Sequence, residues 1–103
     1  MTKKGQGKCA VFDAGKTFAK LTIVGTDGKM WAERRTVTPY LDTPLYRAFD
    51  TERLFAWLLT QLKELGQIGA IDRIIPVAHG AACAFLDADE ALVQPVQDYE
   101  ARI

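Results

Sequence analysis

The feature that most limits the fold is an apolar stretch, residues 9–12, that stops at the motif Asp-Ala-Gly-Lys-Thr of residues 13–17. Four successive apolar residues predict a short strand that is buried on both faces. A second strand is predicted over residues 19–24, and the Asp27-Gly28 pair that follows is a strong signal for a tight turn into a third strand. The start of the chain therefore predicts three antiparallel strands in succession.

The motif between the first two strands combines residue types that suit a phosphate group. A carboxylate at the end of a strand, here Asp13, can hold a hard cation directly or through its waters. Gly15 lets the backbone approach a ligand closely. The turn amides, the Lys16 ammonium and the Thr17 hydroxyl are all groups that bind phosphate oxygens. The alternative is a hairpin whose polar turn residues face water, because Asp-x-Gly turns are common.

Composition limits the class of protein. The chain has 103 residues, enough for one small domain, and its 13 basic and 13 acidic residues cancel. No overall charge therefore favours nucleic acid or a membrane surface as a partner. Cys9 and Cys83 lie far apart without a CxxC spacing, which predicts two small, buried apolar side chains in a reducing compartment. We expect a cytoplasmic protein without a signal peptide or a membrane span.

Residues 1–8 are polar and basic and predict a flexible arm. In the second strand Leu21 and Ile23 share the face expected to be core, which places Lys20 on the opposite face beside the turn. The third strand, residues 30–37, alternates imperfectly, as an edge strand does. Residues 38–49 contain two prolines and several apolar side chains, so we expect a loop that packs onto the domain.

A helix is predicted to begin after Asp50, a good N-cap. Its apolar residues fall on one arc that needs a sheet to cover it, and Gly66 supplies the stop. Trp57 lies off that arc, facing either the preceding loop or a second packing surface. The arc consists of Leu54, Phe55, Leu58, Leu59, Leu62 and Leu65.

After the helix, residues 73–78 predict another buried strand. Pro76 within it predicts a break, a bulge or an edge position, because proline has no N–H for a sheet ladder. Residues 81–87 and 91–96 predict two further strands joined by a turn at residues 89–90.

The order of strand, phosphate turn, strand, tight turn and strand resembles the opening of the ribonuclease H-like fold of actin-like ATPases. With the His-Gly-Ala-Ala segment of residues 79–82 and Leu-Asp-Ala-Asp-Glu at residues 86–90, the chain resembles the amino-terminal end of the FGGY carbohydrate kinases. The resemblance implies an α/β fold, with a mixed sheet that begins with three antiparallel strands and carries one main helix. Residues 9–103 would be an incomplete first domain.

The resemblance implies that the first motif lies beneath the phosphates of ATP. Asp13 would hold Mg²⁺ through its waters, and Gly15, Lys16 and Thr17 would contact the β- and γ-phosphates. Lys20 would add positive potential. Most of the family has Thr or Ser where this chain has Lys16, although a subset that resembles fuculose and rhamnulose kinases has Gly-Lys-Thr.

Two later segments are similar to the sugar-binding parts of the family. His79 and Gly80 stand where the family has a sugar-contacting segment, although a lone histidine at a strand end is also a common structural group. Asp98, Tyr99 and Glu100 fall near the family's Trp-x-Asp-x-Arg segment without matching it cleanly. Which of the two carboxylates meets the sugar stays open, and an exposed tail is the alternative.

The resemblance implies ATP-dependent phosphorylation of a sugar or polyol hydroxyl. The family's general base and adenosine-binding half lie beyond residue 103, so we expect the fragment alone to be inactive. Expected partners are the sugar or polyol and the remaining part of the kinase chain, with neither nucleic acid nor membrane. The predicted helix covers one face of the sheet and leaves the other face bare. The bare face predicts either missing structure or a partner, and that partner could be a second copy of the chain. The alternatives are a non-catalytic interaction domain of the same fold and another actin-like ATPase.

Overall fold

The computed structural model describes residues 7–78 and 84–98 of the chain. Within them the main elements occur in the order of three strands, a short hairpin, one helix and two further strands. Their bounds are β1 Lys8–Ala14, β2 Phe18–Val24, β3 Met30–Val37, β4 Tyr40–Asp42, β5 Arg47–Phe49, α1 Thr51–Gly66, β6 Ile71–Ala78 and β7 Val96–Gln97.

The larger sheet has the strand order β3-β2-β1-β6. The strands β1, β2 and β3 are antiparallel in sequence, whereas β6 returns after the helix and pairs with β1 in parallel. The expected mixed sheet with one main helix is therefore confirmed. Because β1 and β6 are parallel neighbours, their carboxyl ends, at Ala14 and Ala78, lie side by side at one edge of the sheet.

The turn between β2 and β3 forms as the Asp-Gly pair predicts. Gly28 has a φ of 80°, and its N–H donates to the carbonyl of Gly25 at 3.0 Å. The Asp27 carboxylate accepts from the N–H of Lys29 at 3.0 Å. The third strand lies at the sheet edge, as its imperfect alternation indicated.

The core lies between the sheet and the helix. The buried face of β2, which includes Leu21 and Ile23, meets Leu58 and Leu65 of the helix. The predicted core face of β2 is therefore confirmed. Partly buried apolar residues surround this cluster: Phe12, Ala32, Trp57, Leu62 and Ile71.

The helix begins as expected and packs differently. The Asp50 carboxylate accepts from the N–H of Arg53 at 3.0 Å. Phe55 and Leu59, which were predicted to belong to the buried arc, are exposed. Trp57 instead faces the sheet, with its ring centroid 6.5 Å from that of Phe12. The sheet covers only one side of a broad apolar arc, so the far side of that arc stays in water.

The helix ends at Gly66 without a left-handed glycine. Gln67, the C-cap, has a φ of −74°, and its N–H donates to the carbonyl of Glu64 at 3.3 Å. Ile68 donates in the same way to Leu65 at 3.1 Å. Three-residue hydrogen-bond spacing tightens the last turn and satisfies its carbonyls.

Residues 38–49 were predicted to be a loop and form the β4–β5 hairpin instead. The rings of Tyr40 and Phe49, which are paired across the two strands, have centroids 4.9 Å apart. The Thr43 hydroxyl closes the connection by donating to the carbonyl of Tyr46 at 2.5 Å. Cross-strand aromatic contact stabilises these short strands. The sequence did not predict them, because the prolines beside them favoured a loop. With β7 the hairpin makes a second sheet of order β4-β5-β7.

Strand β6 was predicted to be buried, and that is wrong. Ile74, Ile75 and Val77 are each about half exposed, because β6 has only β1 beside it among the described strands. The edge position also explains Pro76, since an edge strand tolerates a missing N–H. The edge alternative for this proline is therefore confirmed.

The two strands predicted over residues 81–87 and 91–96 are not formed as expected in the described part of the chain. Residues 84–95 contain a single bridge between Leu86 and Leu92, around a turn in which the Asp87 carboxylate accepts from the N–H of Asp89 at 2.8 Å. The predicted turn is present, but the returning strand is only β7, and it pairs with β5.

The start of the chain differs slightly from the predicted arm. Lys8 already belongs to β1, and its ammonium lies 3.2 Å from the centre of the Trp31 ring. Residues 1–6 lie outside the described part. Among the described residues, no helix combines the length and hydropathy that crossing a membrane requires.

Candidate functional site

The predicted phosphate motif lies at the carboxyl edge of the larger sheet. Asp13 is the penultimate residue of β1, and it is paired with Lys20 across β1 and β2. Directly paired residues of antiparallel strands project from the same face. Phe12 points to the helix, so the half-buried Asp13 and Lys20 side chains share the face away from it.

Gly15 is required by the turn itself. Its N–H donates to the carbonyl of Phe18 at 3.1 Å, and a Cβ at this position would lie 2.6 Å from that oxygen. Any other residue would force the backbone apart. The glycine therefore has a structural reason to be there, whether or not a ligand approaches it.

The segment Thr38–Tyr40 holds the turn from one side. The buried Thr38 hydroxyl donates to the carbonyl of Gly15 at 2.7 Å, and the Thr38 N–H donates to that of Thr17 at 2.9 Å. The Tyr40 hydroxyl donates to the carbonyl of Lys16 at 2.5 Å. Three successive carbonyls thus face one segment, and trans peptide geometry directs the N–H groups of Lys16 and Thr17 the opposite way.

Asp98 joins this turn from the far end of the chain. It is 2% exposed, and its N–H donates to the carbonyl of Arg47 at 2.8 Å. Its Oδ1 lies 3.6 Å from the Lys16 Nζ, and its Oδ2 lies 3.8 Å from Nη1 of Arg47. The alternative of an exposed tail is therefore wrong for Asp98, which is a buried carboxylate between two cations.

Two cavities adjoin the turn. One of about 200 Å³ is lined by Lys16, Thr17, Val37, Thr38, Tyr40 and Arg47. The other, of about 170 Å³, lies at the ends of β1, β6 and β7 and is lined by Ala14, Gly15, Thr38, Phe49, Thr51, Leu54, Ala78 and Val96.

A larger space of about 430 Å³ opens beside the start of the helix, against Phe12, Leu54 and Phe55. Its lining is mostly apolar, whereas the cavity at the turn combines hydroxyl and cationic groups. Because an anionic ligand needs polar partners, the cavity of about 200 Å³ at the turn is the better candidate site.

A magnesium ion would fit the donors at the turn only in a water-linked form. Among the described residues no three His, Cys, Asp or Glu side chains come together as a metal cage. Mg²⁺ is commonly held by one or two carboxylates, with waters and substrate phosphates completing its shell. The single carboxylate of Asp13, half-buried at a strand end, fits that arrangement.

The structure brings six of the candidate residues to one edge: Asp13, Gly15, Lys16, Thr17, Lys20 and Asp98. The other four candidates, His79, Gly80, Tyr99 and Glu100, lie outside the described residues. Sequence reasoning missed Thr38, Tyr40 and Arg47. The alternation of Thr38 and Tyr40 after a predicted strand was an available signal, whereas nothing in the sequence marked Arg47.

The chain is similar to solved structures of carbohydrate kinases. A carbohydrate kinase from Novosphingobium aromaticivorans is 31% identical with a TM-score of 0.82, over 97% of this chain and 21% of that one. A xylulose kinase from Lactobacillus acidophilus is 20% identical with a TM-score of 0.71, and a gluconate kinase from the same organism is 20% identical with a TM-score of 0.70. Each of these two matches covers 87% of this chain and 19% of the other.

Neither a protein-family model nor a curated protein sequence matches the chain. The chain spans about a fifth of the length of the solved structures that it matches. Its mixed sheet and single helix have the fold of an amino-terminal portion of a carbohydrate kinase.

Proposed function

We propose that this chain is the amino-terminal part of an FGGY-type kinase that transfers the γ-phosphoryl group of ATP to a hydroxyl of a sugar or polyol. The observation that carries the proposal is the turn at residues 15–17. Its three carbonyls are bound by Thr38 and Tyr40, so two of its amides are directed away from them, beside two strand ends. Fixed amides of this kind bind phosphate oxygens without reorganising.

The side chains near the turn would have different roles in phosphoryl transfer. The N–H groups of Lys16 and Thr17, the Thr17 hydroxyl and the Lys16 ammonium would hold phosphate oxygens. Lys20 would add positive potential beside Asp13. Bound Mg²⁺ would neutralise charge on the β- and γ-phosphates, and Asp13 would hold it through its waters. Transfer of this kind depends mainly on positioning and charge stabilisation, which these residues supply.

The sugar would bind beside the phosphates. His79 and Gly80 follow Ala78, the last residue of β6, and Tyr99 and Glu100 follow Asp98 next to β7. Ala78 and Val96 line the same cavity as Gly15, so the described residues that precede both segments lie close to the turn. The general base that takes the hydroxyl proton would come from the kinase chain beyond residue 103.

The test is a turnover assay of the complete protein with ATP and Mg²⁺ against a panel of ketoses and polyols. We expect sugar-dependent ADP formation that Asp13→Asn lowers by about 10²–10³-fold in kcat, with a much smaller rise in the sugar KM. Asp72→Asn is the matched control, because Asp72 is an exposed carboxylate at the other end of the same sheet.

Other results of this assay would favour one of the alternative functions. ATP hydrolysis that no sugar stimulates would favour a different actin-like ATPase. If ATP and Mg²⁺ neither turn over nor raise the melting temperature, the chain is a non-catalytic interaction domain of the same fold. Equal kcat losses in the Asp13 and Asp72 variants would contradict the role given to Asp13.

A further inference from the structure

We propose that Asp98 is a positioning residue that fixes the Lys16 ammonium at the turn and thereby sets the affinity for the phosphate groups of the nucleotide. The role in nucleotide binding rests on the proposed function, whereas the fixing of Lys16 does not. The family resemblance implied a different role, contact with the sugar by either Asp98 or Glu100, with an exposed tail as the alternative. The burial of Asp98 and its two cationic neighbours argue for positioning instead.

The residues around Lys16 contact one another as well as Lys16. Asp98 lies 3.6 Å from the Lys16 ammonium and 3.8 Å from the Arg47 guanidinium. That guanidinium stacks on the Tyr40 ring, 3.8 Å from its centre, and the Tyr40 hydroxyl donates to the carbonyl of Lys16. Tyr40, Arg47 and Asp98, here called the lysine clamp, thus hold both the backbone and the side chain of Lys16.

Burial makes this clamp stiffer than a surface ion pair. The Asp98 side chain is 3% exposed, and its backbone is tied to β5 through the carbonyl of Arg47. The carboxylate cannot follow a moving lysine, so the lysine is held where the carboxylate is. A charge pair shielded from water also interacts more strongly than an exposed one.

A lysine that is already ordered binds an anion at a lower entropic cost. The free lysine side chain has many rotamers, and immobilising it on binding opposes affinity. Loss of the clamp should therefore raise the ATP KM by about 2–10-fold. Because Asp98 would not touch the sugar, the sugar KM should stay within about twofold of its original value.

The negative charge of Asp98 opposes ATP binding, whereas its positioning of Lys16 favours it, so the two effects must be measured separately. Asp98→Asn alone removes a negative charge near the phosphates, which favours anion binding. The combined variant Arg47→Gln/Asp98→Asn removes one charge of each sign, so the net charge is kept while the clamp is lost. Because Arg47 also lines the cavity at the turn, the reference is the single variant Arg47→Gln. Relative to that reference, positioning predicts that the added Asp98→Asn raises the ATP KM further, whereas a purely electrostatic role for Asp98 predicts that it lowers the ATP KM.

The reactivity of Lys16 tests the clamp without relying on kinase activity. The complete protein is treated with an amine-acylating reagent, and the modification rate of each lysine is followed by mass spectrometry. Lys29, which is exposed in the β2–β3 turn, is the internal reference. We expect Lys16 to be acylated more slowly than Lys29. In the Arg47→Gln/Asp98→Asn variant the acylation rate of Lys16 should rise several-fold, while that of Lys29 should not change.

Tyr40→Phe provides a second variant if the charge variants do not fold. It keeps the ring beside Arg47 and removes the hydroxyl that holds the Lys16 carbonyl, so it should also speed the acylation of Lys16. Unchanged Lys16 reactivity in the folded variants would overturn the clamp and leave the kinase proposal standing. Faster Lys16 acylation without turnover on any sugar would support the clamp and count against the kinase.

In an active kinase, the two KM values decide between the roles of Asp98. A raised sugar KM with an unchanged ATP KM would overturn positioning in favour of direct sugar contact. On a Lys16→Gln background, Asp98→Asn should give no further rise in the ATP KM, because the residue it positions is already gone. An undiminished effect there would also overturn the proposal.

Discussion

Replacing Leu58 by alanine should destabilise the domain far more than replacing its neighbour Leu59. The change removes the same three carbon atoms at adjacent positions of one helix, so differences in helix propensity cancel. Leu58 is 8% exposed and packs in the core, whereas Leu59 is 50% exposed. The pair therefore tests which side of the broad apolar arc meets the sheet.

The expected losses follow from the burial of the two side chains. Each fully buried carbon contributes about 0.8 kcal/mol, so Leu58→Ala loses about 2.2 kcal/mol of transfer free energy. The cavity that it leaves raises the total to about 2.5–4 kcal/mol. Leu59→Ala loses at most about 1.2 kcal/mol, because half of its surface is already in water and no closed cavity forms.

Urea unfolding of the 103-residue chain, followed by circular dichroism, measures both losses. If Leu58→Ala is already unfolded without urea, Leu59→Ala must still unfold cooperatively. Equal losses for the two variants would refute the packing described here, and so would a larger loss for Leu59→Ala. Either result would restore the wider buried arc that the sequence predicted.

Gly15→Ala should destabilise the domain, because the new Cβ would lie 2.6 Å from the carbonyl oxygen of Phe18. Gly66→Ala should be neutral or stabilise by up to about 1 kcal/mol, since among the described residues no atom beyond its neighbours and its own helix backbone lies within 4 Å of the Cβ position. Thermal melts of both variants check this. In the complete enzyme His79→Ala should weaken sugar affinity and leave ATP affinity nearly unchanged, and equal losses in both titrations would favour a structural histidine. The 103-residue chain alone should not phosphorylate any sugar of the panel, and turnover at about 1–10³ s⁻¹ would contradict its description as a fragment.

Local features of the fold were readable from the sequence. The strand that ends near Asp13, the Asp27-Gly28 turn and the Asp50 cap each depend on residues within a few positions of one another. The alternation in β2 likewise showed which side chains share the core face. Such features are encoded by backbone preferences and by side chains that bond to nearby backbone groups, so a short window of sequence is enough to identify them.

Only the tertiary structure decided what covers each surface. An apolar run in β6 looked buried, yet its side chains are half exposed, because burial requires a neighbour that the run itself does not specify. The helix arc was wide enough to pack in more than one orientation, and the position of Phe12 and the rest of the sheet selected the side that includes Trp57.

The candidate site shows the same division. The types and order of Asp13, Gly15 and Lys16 predicted a phosphate motif at this turn. The sequence did not show that the Lys16 carbonyl is bound by Tyr40, or that Asp98, from the other end of the chain, lies 3.6 Å from the Lys16 ammonium. These contacts exist because β7 pairs with β5 and brings distant residues to the turn, and long-range pairing of that kind is set by the packing of the whole domain.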